Sequence, residues 1–452
     1  MPELLPYQVY GANWLKDRYR AGLHDEMGIG KTATVIAAVE MKGARRGIVI
    51  CPSGLRANWI GEYHKFGKTE LRLCKARTIH DFVAWSRNRY DVLVVGYEMA
   101  TKWRDAFNDL GEFLDFVIID EAHYLKSPDA QRTKAIYGAD MSGLGGIAQW
   151  GLHVYMLTGT PIPNDPIDIY SFLRFVNAMQ LGKDAFLDRY FFSRAVTFGA
   201  VNTTKLEMID ELKALIENNA LRRTHGDVGL QLPSIFLTDS LVDGDTDQIR
   251  RWFAEFGAGL SQVIVDAIEA GGLSFLDADH IATLRRLVGV AKAVPYARML
   301  YEELCFTTDK RVVYGIHTEA LSHVHESLNA WGIQAVLFVG ATSDYEREHA
   351  VYRFQNDPKT RVFIGNIRAA GTGHTLTAAC EIDVMESDWS PAGNAQAIKR
   401  VHRIGQEKKV RARFITLANT IDEHVNAVVA RKTAAIAQIE GVYMHAAPSL
   451  LT

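Results

Sequence analysis

Residues 24–38 read HDEMGIGKTATVIAA, with glycines, a lysine and a hydroxyl spaced to wrap a polyphosphate. The pattern G-x-x-x-x-G-K-[ST] is met everywhere but at its first position, which is Asp25. Gly28 and Gly30 allow the backbone to curl so that its N–H groups face phosphate oxygens. Lys31 brings a point charge to the β- and γ-phosphates, and the Thr32 hydroxyl is placed for Mg²⁺. A helix starting at Thr32 adds the positive end of its dipole. The chemistry implied is binding of ATP with Mg²⁺.

Two further stretches extend it. In VIIDEAH (117–123) Asp120 closes an apolar run, where its carboxylate can orient a Mg²⁺-bound water, and Glu121 is placed as general base for the attacking water. In QAIKRVHRIGQ (396–406) Gln396, Arg400 and Arg403 are four and three apart, so a helix would show them on one face. Arginines of this kind stabilise charge on a transferred phosphoryl group.

These residues need strand ends and helix starts to hold them. GIVIC, DVLVVG, DFVIID and HVYMLT are short β-rich runs separated by helix-like segments such as TATVIAAVEMK. The pattern returns in RVVYGI, AVLFVG, RVFIG, EIDVM and RARFIT, with helices expected over 319–331 and 395–404. Near-continuous apolar strands alternating with helices predict parallel sheets covered on both faces. We therefore expect an α/β chain of two lobes, 1–233 and 234–452, with SIFLTDS opening the second. Helical insertions are expected at about 165–230 and 245–295, the aromatic run YFFSRAVTFGA forming buried core of the first.

Composition narrows the class. The chain has 452 residues, 48% hydrophobic and 23% charged, which suits a soluble globular protein of two or three domains. Its formal charge of -3 disfavours a static nucleic-acid coat, though a local basic groove would not show in the sum. Cys51, Cys74, Cys305 and Cys380 are scattered, which indicates neither a zinc site nor a disulfide framework and fits a reducing compartment. His323 and His325 are two apart in a helix-like stretch and point to different sides, against a metal site. The start MPELLPYQVY lacks the features of a signal peptide, and no apolar run reaches the ~20 residues that span a bilayer. A cytoplasmic protein without membrane contact is expected.

Taken in order, the motifs resemble those of the SNF2 group of superfamily 2 helicase-like ATPases. LLPYQVYGANWL (4–15) resembles the adenine-reading Q motif, with Gln8 in the matching place. DEMGIGKT is similar to motif I, including the Asp-for-Gly variant, CPSGLRANW to motif Ia, VVGYEMA to Ib and DEAHYLKS to motif II. LTGTPIPND resembles motif III, LRRTHGDVGLQLP the LRR-to-LP junction, FIGNIRAAGTGHTLTAA motif V, with SDWSP after it, QAIKRVHRIGQ motif VI and TIDEHV the closing helix. The likeness spans about residues 4–436. LRRLVGVAKA (284–293) points to the annealing and fork-remodelling branch. Pro163 and Asn366 depart from the usual residues of motifs III and V.

The resemblance implies two RecA-like lobes with ATP in their cleft and duplex DNA across their tops. Double-stranded DNA would then be contacted by Ser53, Tyr97 and Lys126 on the first lobe and by Arg368, Gly371, Thr372 and Gly373 on the second. Thr158 and Thr160 would couple the ATP and DNA sides. The activity expected is translocation on duplex DNA without strand separation. The alternatives are a strand-separating DNA or RNA helicase and a nucleotide-gated DNA-binding module. A monomer close to the minimal motor is expected, of bacterial or phage origin, with a protein partner for targeting.

Overall fold

The computed structural model describes residues 3–162, 166–196, 199–230, 232–256, 278–340, 342–367, 374–388, 391–420, 422–423, 426 and 444–446. The chain divides into two compact units, Met1–Leu230 and Gln231–Thr452. The first begins with helix α1 (Pro6–Lys16) and strand β1 (Arg20–Leu23), followed by α2 (Lys31–Met41), β2 (Gly47–Cys51) and α3 (Arg56–Phe66). Then come β3 (Leu73–Lys75), β4 (Val92–Gly96), β5 (Leu114–Asp120) and β6 (Gly151–Leu157). The strands form a parallel sheet in the order β3-β4-β2-β5-β6-β1-β9, where β9 is Ala220–Leu221.

The sheet is covered on both faces, and the sequence shows why. Ile48, Ile50, Leu93, Val95, Val117 and Ile119 enter one apolar cluster. Their alternate neighbours Val49, Val92, Val94, Phe116 and Ile118 enter another. Successive side chains of a strand point to opposite faces, so a strand buried on both sides must be apolar at nearly every position.

The second unit repeats this plan with β10 (Ile235–Val242), β11 (Lys310–Gly315), β12 (Gln334–Phe338), β13 (Thr360–Asn366), β14 (Ala379–Val384), β15 (Val410–Leu417) and β16 (Met444–Ala446). Their order is β12-β13-β11-β14-β15-β10-β16, again parallel. The chain is thus an α/β protein of two RecA-like parallel-sheet lobes. The long helix Ala278–Cys305 is fastened to the second sheet by buried charge. Its Tyr296 hydroxyl donates to Asp383, which also accepts from Arg311 and Arg413, and both arginines reach Glu303.

Two expectations change. The region from 165 to 230 has helices Lys183–Tyr190 and Ile209–Asn219, but an antiparallel hairpin, β7 (Phe191–Val196) and β8 (Gly199–Thr204), lies between them. Aromatic and β-branched residues, Phe191, Phe192 and Val196 in one strand and Val201, Thr203 and Thr204 in the other, favour extended backbone there. Tyr190 and Phe191 are buried as expected, whereas Phe192 is 61% exposed. The second change concerns motif VI. Its helix, Pro391–Ile398, stops before Arg400 and Arg403, so no single helical face carries them with Gln396. The N–H groups of Arg400 and Val401 turn back to the carbonyls of Ala397 and Ile398, the tight bonding of a closing turn, and Gly405 then takes φ 97°. Among the described residues no helix is long and apolar enough to cross a membrane.

Candidate nucleotide-binding site

The phosphate loop joins β1 to α2. Gly28 and Gly30 have φ of 87° and 97°, the left-handed region in which side-chain-bearing residues are disfavoured. Helix α2 starts at Lys31, one residue before the position read from sequence, with Gly30 as its cap. The Lys31 ammonium donates to the carbonyls of Asp25 (2.8 Å) and Glu26 (3.3 Å), which holds it over the loop. Gln8 is buried, donates to the Ile29 carbonyl at 3.2 Å and accepts from the Leu5 N–H, so the first helix is keyed to the loop.

Asp120 and Glu121 stand at the carboxyl end of β5, in the same sheet as β1. One Asp120 oxygen accepts from the Trp59 indole at 2.8 Å and the other from the Glu121 N–H at 2.9 Å. Burial, and then the neighbouring Glu121 charge, push the Asp120 carboxyl up to about 6. Glu121 is held at φ 51°, a strained conformation for this residue type. Its buried Oε2 has no hydrogen-bond partner among the described residues. His123 Nδ1 lies 3.3 Å from that oxygen but is aligned with the Thr158 hydroxyl, 3.0 Å away. Burial pushes the His123 imidazole down to about 4, so it is neutral at pH 7. Thr160 completes the group: its N–H donates to the Thr158 hydroxyl, and its own hydroxyl lies 3.4 Å from His123.

These residues fit a magnesium nucleotide. Gly28, Gly30, Lys31 and Thr32 are partly exposed along the loop and the head of α2, and Asp120 offers carboxylate oxygen. The orphaned Glu121 oxygen is an acceptor waiting for a proton donor, as a water-activating base requires.

Other expected site residues are placed differently. Tyr97 is buried, stacked on Tyr124, and donates its hydroxyl to the Asp120 carbonyl at 2.6 Å. Its hydroxyl is thus engaged beneath motif II. The Lys126 ammonium is 3.1 Å from the Asp168 carboxylate. Ser53 is exposed at the end of β2, ahead of α3. In the second unit Gln396 and Arg400 are buried, and Arg403 is partly exposed. Arg400, Arg347 and Arg403 all bear on His374, which is pushed down to about 4 by burial first and then by these guanidiniums. Arg368, Gly371, Thr372, Gly373 and Pro163 lie outside the described residues. Asn366 donates to the Ile316 carbonyl, so its departure from the motif has a structural use.

Sequence reading passed over Arg223, His225 and His123. The signal for the first was the Asp25 departure itself: a carboxylate in a phosphate loop needs a cation, and an arginine pair stands in LRRTHGD.

Comparison with known families agrees with this geometry. The model of the SNF2-related domain matches residues 7–253, more than half of the chain. The chain belongs to the SNF2 family. The helicase conserved C-terminal domain matches residues 296–405 of the same SNF2 chain. Among curated relatives, the DNA annealing helicase and endonuclease ZRANB3 of Mus musculus is 28% identical over 97% of this chain and 40% of its own length. An uncharacterized ATP-dependent helicase of Mycoplasma pneumoniae is 26% identical over 94% of this chain and 41% of its own. The chain thus spans about two fifths of the length of these relatives. The Sulfolobus solfataricus SWI2/SNF2 ATPase core solved in complex with dsDNA is 22% identical, covers 98% of this chain and 95% of its own, and has a TM-score of 0.43.

Proposed function

We propose that this SNF2 chain is an ATP-dependent double-stranded DNA translocase that remodels protein–DNA complexes or DNA structures without processive strand separation. The observation that carries the hydrolytic part is the unpartnered, buried Glu121 oxygen beside Asp120, at the strand end next to the phosphate loop's own sheet. A protein that only parks on nucleotide has no use for such a base. The names of the relatives, an annealing helicase and an ATP-dependent helicase, support the nucleic-acid part.

In this reading Gly28, Gly30, Lys31 and Thr32 hold the triphosphate, with Gln8 at the base and Gln396 contributing from the second unit. Thr32 and Asp120 hold Mg²⁺, which neutralises phosphate charge when bound. Glu121 accepts the proton of the attacking water, and Arg400 and Arg403 stabilise charge on the transferred group. Thr158 and Thr160, joined to His123, pass the state of the nucleotide toward the DNA side. Ser53, Lys126, Arg368, Gly371, Thr372 and Gly373 take the DNA phosphates. Few contacts directed at phosphates suit a motor that must release its track every cycle. We further propose a cytoplasmic monomer, targeted to its cargo by a protein partner.

The test compares ATP turnover with duplex, single-stranded and forked DNA and with RNA, alongside triplex-strand displacement. Stimulation by duplex, displacement of a triplex strand and no opening of forks are expected. Efficient fork unwinding would replace the translocase with a strand-separating helicase. Turnover no better than that of Glu121→Gln would replace it with a nucleotide-gated binding module.

A further inference from the structure

Asp25 occupies the place of a phosphate-loop glycine and is fully buried. A buried carboxylate there is costly unless a cation meets it with good geometry. Arg223 does so: its Nε donates to Asp25 Oδ1 at 3.0 Å and its Nη2 to Oδ2, a bidentate pair. The remaining nitrogen, Nη1, donates to the Tyr7 carbonyl at the start of α1. Room for the guanidinium comes from Gly11, where an added Cβ would lie 2.7 Å from Nη2. One side chain therefore binds the first helix, the phosphate loop and the strand that carries it.

That strand is β9, the last of the first unit's sheet, paired in parallel with β1. The chain beyond it runs alongside the loop: the Glu26 N–H donates to the Arg223 carbonyl at 2.9 Å, and the Glu26 carboxylate accepts from the His225 N–H and lies 2.6 Å from its Nδ1. Asp25 in turn gives its own carbonyl to the Lys31 ammonium. The path from Arg223 to Lys31 is two contacts long, through Asp25 alone.

We propose that Arg223 is a positioning residue of the nucleotide site, which sets the phosphate loop and Lys31 through Asp25. The proposal rests on the reading of this loop as an ATP site. It explains the Asp25 departure, since the carboxylate is the handle by which the segment leaving the first unit grips the loop.

The experiment measures affinity for Mg²⁺·ATPγS and steady-state ATP turnover on the full chain, for Arg223→Met, Arg223→Lys, Asp25→Gly and the double variant Asp25→Gly/Arg223→Met. Circular dichroism and thermal melts check that each variant folds. Arg223→Met strands the buried carboxylate and is expected to weaken nucleotide affinity and turnover by about 10²-fold, the scale on which a small misplacement of reacting groups is felt. Arg223→Lys keeps the charge but loses the fork and should recover only part. The double variant has nothing left to pair and should recover about tenfold or more of the loss, as expected if Arg223 acts on the loop through Asp25 and not through its bond to the Tyr7 carbonyl. A double variant as impaired as Arg223→Met would overturn the proposal, as would an Arg223→Met protein that folds and binds nucleotide like the wild type. A wild-type chain with no nucleotide affinity at all would overturn the ATP-site reading and the proposal with it.

Discussion

His123 Nδ1 lies 3.0 Å from the Thr158 hydroxyl, joining the residues that follow β5 to those that follow β6. The same imidazole stands beside the orphaned Glu121 oxygen, and Thr160 closes the group through the Thr158 hydroxyl. Under the proposed function a change at Glu121 would reach Thr158, just beyond β6, through His123. Thr158→Val keeps the shape and removes the hydroxyl. We expect nucleotide affinity to stay near the wild-type value while stimulation of turnover by duplex DNA falls several-fold, measured as the ratio of rates with and without DNA. Full stimulation in that variant would remove Thr158 from the coupling path.

Lys31→Ala should abolish DNA-stimulated turnover without unfolding the chain, since its partly exposed ammonium is held by the loop carbonyls. Glu121→Gln should lower turnover by about 10²–10⁴-fold, the usual contribution of a general base. Arg403→Ala should cost about 10³-fold or more if it neutralises transition-state charge. Near-full rate in any of the three would withdraw the role given to that residue.

Tyr97 tests whether placement or contact matters. Its hydroxyl supports the Asp120 carbonyl at 2.6 Å. Tyr97→Phe loses one hydrogen bond, so turnover should drop by about fivefold, with DNA affinity unchanged. The opposite pattern, weaker DNA binding at unchanged saturated turnover, would restore a direct contact with the phosphate backbone.

Lys126 and Asp168 make an ion pair, which under the proposed function would compete with a DNA phosphate for the ammonium. Lys126→Ala should weaken duplex binding equally across sequences and reduce the slope of log affinity against log salt by about one. Asp168→Asn removes the charge of this pair and should strengthen binding. Both are read by titration at several salt concentrations. An unchanged slope in Lys126→Ala would exclude a phosphate contact there.

Buried histidines, His24, His123 and His374 among them, contribute to the acid side of stability. Burial pushes His24 down to about 3 and His374 to about 4, one in each unit, from the ordinary 6.5. Below 6.5 the unfolded chain takes up protons that the folded chain refuses. Stability is therefore fully present above 6.5 and is lost as pH falls toward the folded values, by about 1.4 kcal/mol per group per pH unit. Denaturant titrations at pH 7 and pH 5.5 should show this drop, and His24→Gln should make it shallower. A stability independent of pH in that window would mean that the two rings are open to solvent.

The sequence by itself determined the parts whose geometry is local. The glycine-lysine-threonine spacing, the carboxylates at the end of a buried strand and the longer apolar strands of both sheets were legible, because a turn or a pleat is fixed by residues a few positions apart, whereas the short strands β1, β3, β9 and β16 carry too few residues to show a pattern. Tertiary structure decided the pairings across the sheet. Asp25 meets Arg223 from 198 positions away because β9 lies against β1, and Lys126 meets Asp168 from 42 because β5, which Lys126 follows, lies against β6, which Asp168 follows. The buried place of Tyr97 has the same origin: its hydroxyl finds the Asp120 carbonyl 23 residues on, because β4 and β5 flank β2. Where motif VI leaves its helix was likewise hidden, since helical spacing continued past Ile398 while the backbone turned at Arg400. Short-range sterics select each element, whereas desolvation decides which distant charges must find one another.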